Sequence, residues 1–326
     1  MNDSLLKLIQ QTTDATEVSP IQDIQNLWSG YGSIVRYGLK GCSMDTVIVK
    51  QVNLSGSSAH PRGWNSDLSH QRKLKSYQVE VAWYDQWGKQ CDKACRIPDC
   101  LGLSSHEDEI LMILEDLDAV GFAERRSAVS IPEIYTCLSW LANFHATFME
   151  RQPTNLWSIG TYWHLATRPD ELAALQDKAL KEVAEPIDKM LQNSPFQTIV
   201  HGDAKLANFC FSQDGESVAA VDFQYVGGGC GIKDVAYFIG SCLDEVSCER
   251  LESQLLDFYF EAFGQALYQK HPTADATVIE QNWRTLYPIA WTDFHRFLKG
   301  WSPGHWKINS YSERLAQEVI TQLTNS

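Results

Sequence analysis

The stretch Thr198-Ile199-Val200-His201-Gly202-Asp203-Ala204-Lys205-Leu206-Ala207-Asn208, with Val218-Ala219-Ala220-Val221-Asp222-Phe223-Gln224 following it, decides the fold. Thr198 to Val200 is β-branched and reads as a short strand that delivers His201-Gly202-Asp203 into a loop. Val218 to Val221 reads as the next strand and ends at Asp222, with a turn at Gln213-Asp214-Gly215 between them. One Asp or Asn beside a strand is an ordinary turn residue and says little. The ordered set says more, because phosphoryl transfer asks for such parts: metal ions to neutralise phosphate charge and a carboxylate to orient the attacking hydroxyl or take its proton. Asp203 is placed to be the base. Asn208 offers a side-chain oxygen to magnesium, and Asp222 offers a carboxylate to a second metal site shared with substrate phosphates.

His201, Asp203, Lys205 and Asn208, and then Asp222-Phe223, fall at the spacing of the protein-kinase patterns H-R-D-x-K-x-x-N and D-F-G. The chain thus resembles the protein-kinase-like superfamily. It departs from protein kinases in three places: Gly202 replaces the arginine, Gln224 replaces the glycine after Asp-Phe, and no Ala-Pro-Glu follows. Instead the chain continues through Gly227-Gly228-Gly229 to Asp234-Val235-Ala236-Tyr237-Phe238. H-G-D, D-F-Q and D-x-A-Y-F together resemble the choline kinase and aminoglycoside phosphotransferase group, most of all its ecdysteroid-kinase-like branch.

That resemblance implies ATP and Mg2+ as cofactors and a small-molecule hydroxyl as acceptor. It implies Lys205 as the group that stabilises charge moving onto the transferred phosphoryl, and Asp234 as a brace for the catalytic loop. It also implies a strand lysine that contacts the phosphates and pairs with a glutamate on the next helix; Lys50 and Glu80 stand in that order. Ser29-Gly30-Tyr31-Gly32-Ser33 is a glycine-rich loop candidate with two of the usual three glycines, Gly30 and Gly32, since Val35 stands where the third would be. A plain hairpin turn is its competing reading. Leu114-Glu115-Asp116-Leu117 falls at the expected hinge, where the backbone around Glu115 and Leu117 would hold adenine. Leu141 to Ala146 resembles the family's L-x-x-F-H-A helix, which makes His145 a core histidine.

Working outward, the first hundred residues read as strands and one helix. Ile24 to Trp28, Ile34 to Leu39, Thr46 to Val49, the region of Leu101 to Leu103, and Glu109 to Leu114 are the strands. Lys40-Gly41 is a turn, and Asn53 to Ser69 is a loop rich in Ser, Gly, Pro and His. From Gln71 to Gln90, Leu74, Tyr77, Val81, Tyr84 and Trp87 recur at three and four, the mark of an amphipathic helix. After Asp118 the pattern is mostly helical. Ser130-Ile131-Pro132-Glu133 is a capping box that opens a helix, Asp170 to Leu191 reads as another, and helices fill Asp234 onward. The expected fold class is α+β and bilobal: an antiparallel β N-lobe with one main helix over 1–116, and a mostly helical C-lobe over 117–326.

A net charge of −14 over 326 residues is a poor start for binding nucleic acid or anionic membranes. The first residues have no sustained apolar core, so no secretory leader is expected, and nine cysteines fit an expectation of reduced thiols in the cytoplasm. Cys91, Cys95 and Cys100 match no common zinc spacing. Trp283, Tyr287, Trp291, Trp301 and Trp306 cluster late in the chain; they read as core packing or as an aromatic acceptor pocket, near which Glu280 and Asp293 could add negative charge. The acceptor stays open among choline-like amino alcohols, aminoglycoside-like sugars and steroid-like alcohols, and the oligomeric state is unknown. A silent nucleotide-binding module and a protein kinase are the alternatives. The first would need a lost catalytic residue. Gly202, Gln224 and the missing Ala-Pro-Glu argue against the second.

Overall fold

A computed structural model describes residues 3–27, 30–54, 67–106 and 108–325. Helix α1 (Asp3–Thr13) precedes strands β1 (Glu17–Asn26), β2 (Gly32–Lys40) and β3 (Thr46–Asn53), then helix α2 (Asp67–Ala82), then β4 (Cys100–Ser105) and β5 (Glu109–Glu115). The five strands form one antiparallel sheet in the order β1-β2-β3-β5-β4. Strand alternation sorts its two faces. Val47, Val49, Leu111 and Ile113 pack with Leu5 and Ile9 of α1. On the other face Val52, Ile110, Met112 and Leu114 pack with Tyr77 and Val79 of α2. Lys50 is in register with Met112 and shares that second face, so its side chain runs toward α2.

Two N-terminal expectations need correction. Asp3–Thr13 is a helix, although only one helix was expected in this half; its sequence signal is Leu5, Leu8 and Ile9 at three-and-four spacing. The first strand is Glu17–Asn26 rather than Ile24 to Trp28, and Trp28 lies outside the described residues. It is an exposed edge strand with irregular register at Pro20 and Asp23, so no buried face imposes an alternation on its sequence. Most of the loop expected from Asn53 to Ser69 also lies outside the described residues, while Asp67 to Ser69 already belong to α2.

The long amphipathic segment after that loop is α-helical only to Ala82 and continues as a π-helical turn over Trp83–Trp87. The wider turn lets Trp83, Tyr84 and Trp87 all be buried. Trp83 stacks on Phe223 at 4.6 Å between centroids, which ties the end of this segment to the Asp222 loop.

Helix α3 (Ile131–Thr147) starts at the expected capping box, with Ser130 and Glu133 bonded reciprocally. The single helix expected over Asp170 to Leu191 is three short ones: α4 (Pro169–Ala174), α5 (Lys178–Glu182) and α6 (Ala184–Gln192). Asp177 caps a new helix by accepting from Leu180 N–H at 3.1 Å. Pro186 lacks an N–H and clashes with the turn before it, so it sits in the first turn of α6. Short strands β6 (Thr198–Val200), β7 (Phe209–Phe211), β8 (Val218–Ala220) and β9 (Gly227–Gly229) then pair as β6 with β9 and β7 with β8. Helices α7 (Ile232–Cys242), α8 (Glu245–Lys270), α9 (Ala276–Trp301) and α10 (Ser310–Thr324) complete the chain. The architecture is the expected antiparallel sheet with a mostly helical remainder. One apolar core runs from Val52 and Met112 through Phe144 and Phe223 to Trp283. Among the described residues, no helix is long and apolar enough to cross a membrane and no disulfide forms.

Candidate active site

The loop after β6 is held by Asp234 near the start of α7. Its Oδ2 accepts from His201 N–H at 2.6 Å, and its Oδ1 accepts from Gly202 N–H at 3.0 Å. His145 lies behind, fully buried, between Asp234 and the Tyr259 hydroxyl. Gly202 has φ +78°, and a Cβ there would lie 2.1 Å from the Tyr225 carbonyl oxygen and 2.7 Å from Thr161 N. Glycine is therefore required by the backbone at this position, beyond the loss of an arginine.

This brace presents Asp203, which is 6% exposed. Its Oδ2 meets Lys205 Nζ at 2.7 Å and Asn208 Nδ2 at 3.1 Å, and its Oδ1 accepts from the Tyr237 hydroxyl at 3.1 Å. Asn208 Nδ2 also donates to the Asp203 carbonyl at 2.8 Å, which leaves the Asn208 side-chain oxygen as its group for a cation. Burial pushes Asp203 above the ordinary aspartate range, aided by Asp222 and opposed by Lys205. Burial works against the charge of Lys205, but Asp203 outweighs it and the ammonium is raised.

Asp222 behaves oppositely. Burial pushes it up, yet Lys50, Lys205 and Lys73 outweigh this and hold its carboxyl low. Its backbone has φ +70°, a conformation costly for a non-glycine residue, and its Oδ1 is shielded with no hydrogen-bond partner among the described residues. An ionised carboxylate oxygen without a protein partner fits a divalent cation. Among the described residues, no group of three or more His, Cys, Asp or Glu could hold a metal by itself. Magnesium commonly takes one or two protein carboxylates and completes its shell with phosphate oxygens and water, which suits Asp222 and Asn208.

Lys50 and Glu80 meet across the sheet–helix interface, Nζ to Oε2 at 2.6 Å and to Oε1 at 2.8 Å, both nearly fully buried. Burial raises Glu80, and Lys50 opposes the rise. Lys73, two helical turns before Glu80 on α2, donates to Gln224 Oε1 at 2.9 Å, and Ser76 donates to the same oxygen at 3.3 Å. Gln224 thus ties α2 to the Asp222 loop. Neither Lys73 nor this tie was expected from sequence; the seven-residue spacing from Glu80, which shares a helix face, is the signal that could have found Lys73.

Of the glycine-rich loop, Ser29 lies outside the described residues. Gly30 has φ +74°, and Gly32 has φ +148° with a would-be Cβ 1.9 Å from the Gln51 carbonyl oxygen. Tyr31 between them is buried, with its hydroxyl bonded to His70 of α2. At the expected hinge, Glu115 N–H donates to the Asp99 carbonyl at 2.9 Å, and the Leu117 carbonyl accepts from Phe122 N–H at 2.8 Å. The Glu115 side chain pairs with Arg96, and buried Asp116 accepts from Arg36 and Thr46.

The sequence matches the ecdysteroid kinase-like family over residues 69–162 and 156–270, more than half of the chain. The chain belongs to the ecdysteroid kinase-like family. No curated protein matches it. Its fold is similar to a choline kinase from Cryptosporidium parvum Iowa II, at TM-score 0.53 and 9% identity over 100% of this chain and 96% of that one. It is similar to a microcompartment-associated aminopropanol kinase at TM-score 0.52 and 12% identity, covering 99% and 98% of the two chains. An amicoumacin kinase in complex with AMP-PNP and Ca2+ aligns at TM-score 0.51 and 11% identity, covering 99% and 93%. At these identities the likeness is one of fold.

In this ecdysteroid kinase-like chain, the late aromatic residues divide between two roles. Trp283, Tyr287 and Trp291 are buried in the core, where Trp283 packs on Phe263 and donates to the Phe196 carbonyl. Trp301 and Trp306 instead line a cavity of about 270 Å³ beside Lys205, with Tyr162, Tyr237, Phe294 and Lys307. The two carboxylates expected near such a pocket are engaged elsewhere. Asp293 pairs with Arg296 at 2.8 Å and accepts from Trp163, and Glu280 pairs with Arg284 at 2.7 Å. Lys307 was not expected from sequence; it sits in the connection between α9 and α10, and only the fold brings it to the cavity.

Proposed function

We propose that this chain transfers the γ-phosphoryl group of ATP to a hydroxyl of a small molecule bound in the aromatic cavity. Membership of the ecdysteroid kinase-like family and the protein-kinase-like fold support a small-molecule phosphotransferase. The observation that carries the finer reading is how two buried aspartates are held: Asp203 is bonded by Lys205, Asn208 and Tyr237, while Asp222 Oδ1 has no protein partner among the described residues. Asp203 is pushed up by burial, and Asp222 is held low by three lysines. Neighbouring carboxylates whose values are driven apart in this way divide into a proton acceptor and a charge holder.

In this reading Asp203 accepts the proton of the acceptor's hydroxyl as the hydroxyl oxygen attacks the γ-phosphorus, and the bond to the β–γ bridging oxygen breaks so that ADP leaves. Tyr237 and Asn208 orient the carboxylate, and Lys205 balances charge on the transferred group. Lys50, fixed by Glu80, holds the phosphates, and the loop at Gly30 and Gly32 lets backbone amides approach them. The backbone around Glu115 and Leu117 would meet adenine through groups other than the Glu115 N–H and the Leu117 carbonyl, which are bonded within the chain. Asp222 and Asn208 would hold magnesium, which when bound neutralises phosphate charge. Residues 1–116 would supply most of the nucleotide contacts, and 117–326 the catalytic loop and acceptor cavity.

Calorimetric titration with ATP tests the metal assignment. Binding that requires Mg2+ in the parent chain and is lost in Asp222→Ala is expected; unchanged Mg2+-dependent binding in the variant would remove Asp222 from the metal site.

A further inference from the structure

The cavity beside Asp203 has an unusual charge pattern. Its aromatic faces would attract a cationic acceptor, but protein cations already lie over Tyr162, Tyr237, Phe294 and Trp306. Lys307 Nζ lies 4.8 Å from the Tyr237 ring centre, 5.4 Å from that of Phe294 and 5.5 Å from that of Trp306. The Arg168 guanidinium lies 5.8 Å from the Tyr162 ring centre. An acceptor ammonium entering here would meet Lys307 and Lys205 as like charges. Asp203 is the carboxylate near them, and its oxygens are engaged by Lys205, Asn208 and Tyr237.

Lys307 itself is the unbalanced element. It is 8% exposed, lines the cavity and has no ion-pair partner among the described residues. Lys205, the cavity's other ammonium, has Asp203. The connection that carries Lys307 is fixed: its carbonyl accepts from Ser312 Oγ at 3.0 Å, and its N–H donates to His305 Nδ1 at 3.2 Å. Burial lowers the Lys307 ammonium to about 8, with Asp203 opposing the fall, so most of it is charged at neutral pH. Burial, with Lys307 beside it, lowers His305 and favours its neutral form. A buried charge without a partner is costly and calls for a counter-ion.

Resting on the phosphotransferase reading, we propose that the acceptor is a ring-bearing hydroxy acid. Its anionic group is held by Lys307, its ring lies against Tyr162, Phe294 and Trp301, and its hydroxyl reaches Asp203. Lys307 is then a specificity-determining residue that selects anionic over neutral and cationic alcohols.

Trp301 and Trp306 line the cavity and report on it by intrinsic fluorescence, so the test needs no turnover. The full chain is titrated with mandelate, its neutral amide mandelamide and the matched amine phenylethanolamine, and with cholate against its primary amide as a larger pair. At least one carboxylate is expected to bind about tenfold or more tightly than its amide, a difference of about 1.4 kcal/mol, with the amine weakest. Lys307→Gln should erase that preference and Lys307→Arg should keep it, with thermal unfolding confirming that both fold. The proposal is overturned by equal affinities, by preference for the amine, by no carboxylate binding more tightly than its amide (no binding included), or by a preference that survives Lys307→Gln. Weaker MgATP binding in Lys307→Gln would also overturn it, by making Lys307 a nucleotide contact. Loss of phosphoryl transfer with the carboxylate preference intact would instead count against the phosphotransferase reading alone.

Discussion

Asp203 is held above the ordinary carboxylate range mainly by burial, and this has two consequences. A base must be ionised, so turnover falls as pH drops through the Asp203 value in the folded chain. The acid limb of a kcat–pH profile should therefore lie above that of an unperturbed aspartate near 3.8; a limb at or below that value would contradict the assignment. The second consequence concerns stability. A carboxyl whose folded value exceeds its unfolded one contributes stability at low pH, and loses it as pH rises through the folded value. Wherever Asp203 is ionised it is thus a net burden on the fold. Asp203→Asn should lower kcat by roughly 10²–10⁴-fold while raising the thermal midpoint by about 2 °C. Scanning calorimetry beside turnover checks both, and a variant that loses stability would refute the electrostatic part.

Gly202 carries the other residue-scale prediction. A methyl group there has to displace the Tyr225 carbonyl or the Thr161 amide. Gly202→Ala should destabilise by about 2 kcal/mol or more, read as a lower urea midpoint. An unchanged midpoint would mean that the loop has room the structure does not show.

At the scale of elements, α2 is set by two links to the site: Glu80 to Lys50, and Lys73 with Ser76 to Gln224. Lys50→Met would leave Glu80 buried without its cation, at a cost of about 3–5 kcal/mol. Adding Glu80→Leu should recover much of that stability without recovering activity, since the phosphate contact stays absent. Chemical denaturation of the single and double variants measures this, and additive losses would show that the pair does not act as a unit. Gln224→Gly, which restores the protein-kinase residue, should weaken nucleotide binding by freeing the Asp222 loop from α2; unchanged MgATP affinity would show that the tie does not matter.

What the sequence disclosed follows from how each element is stabilised. Strands β3 and β5 are buried on both faces and rich in β-branched or aliphatic residues, so their signal is plain. Edge strand β1 buries neither face, so its sequence carries no alternation and the expected strand falls too late in the chain. The site residues His201 to Asn208 and Asp222 lie close together in the chain, so their spacing carries their geometry. Lys307 and Tyr162 reach the cavity only through the packing of α9, α10 and the Thr161 loop, and no local pattern encodes that. Trp283 and Trp301 look alike in sequence and, about five turns apart, share one side of α9; only their places along the helix separate the buried residue from the one that lines the cavity.

For the whole molecule, the apolar core continuous from the sheet to α9 supports the strand lysine and the two aspartates, while a separate apolar cluster with Tyr237, Phe294 and Leu298 lines the cavity. The site itself is close to balanced, with Lys50, Lys73, Lys205 and Lys307 standing among Glu80, Asp203 and Asp222, so the net charge of −14 lies outside it. An anionic ligand therefore meets attraction only close to those lysines, and salt should weaken its binding. The most direct test of the account incubates the chain with γ-labelled ATP, Mg2+ and a protein-free extract of small metabolites, and follows the label by chromatography. Label should pass to small molecules with the parent chain and not with Asp203→Asn, while both bind MgATP. A chain that binds MgATP yet leaves the label on ATP, or an Asp203→Asn variant that transfers it equally well, would contradict the account.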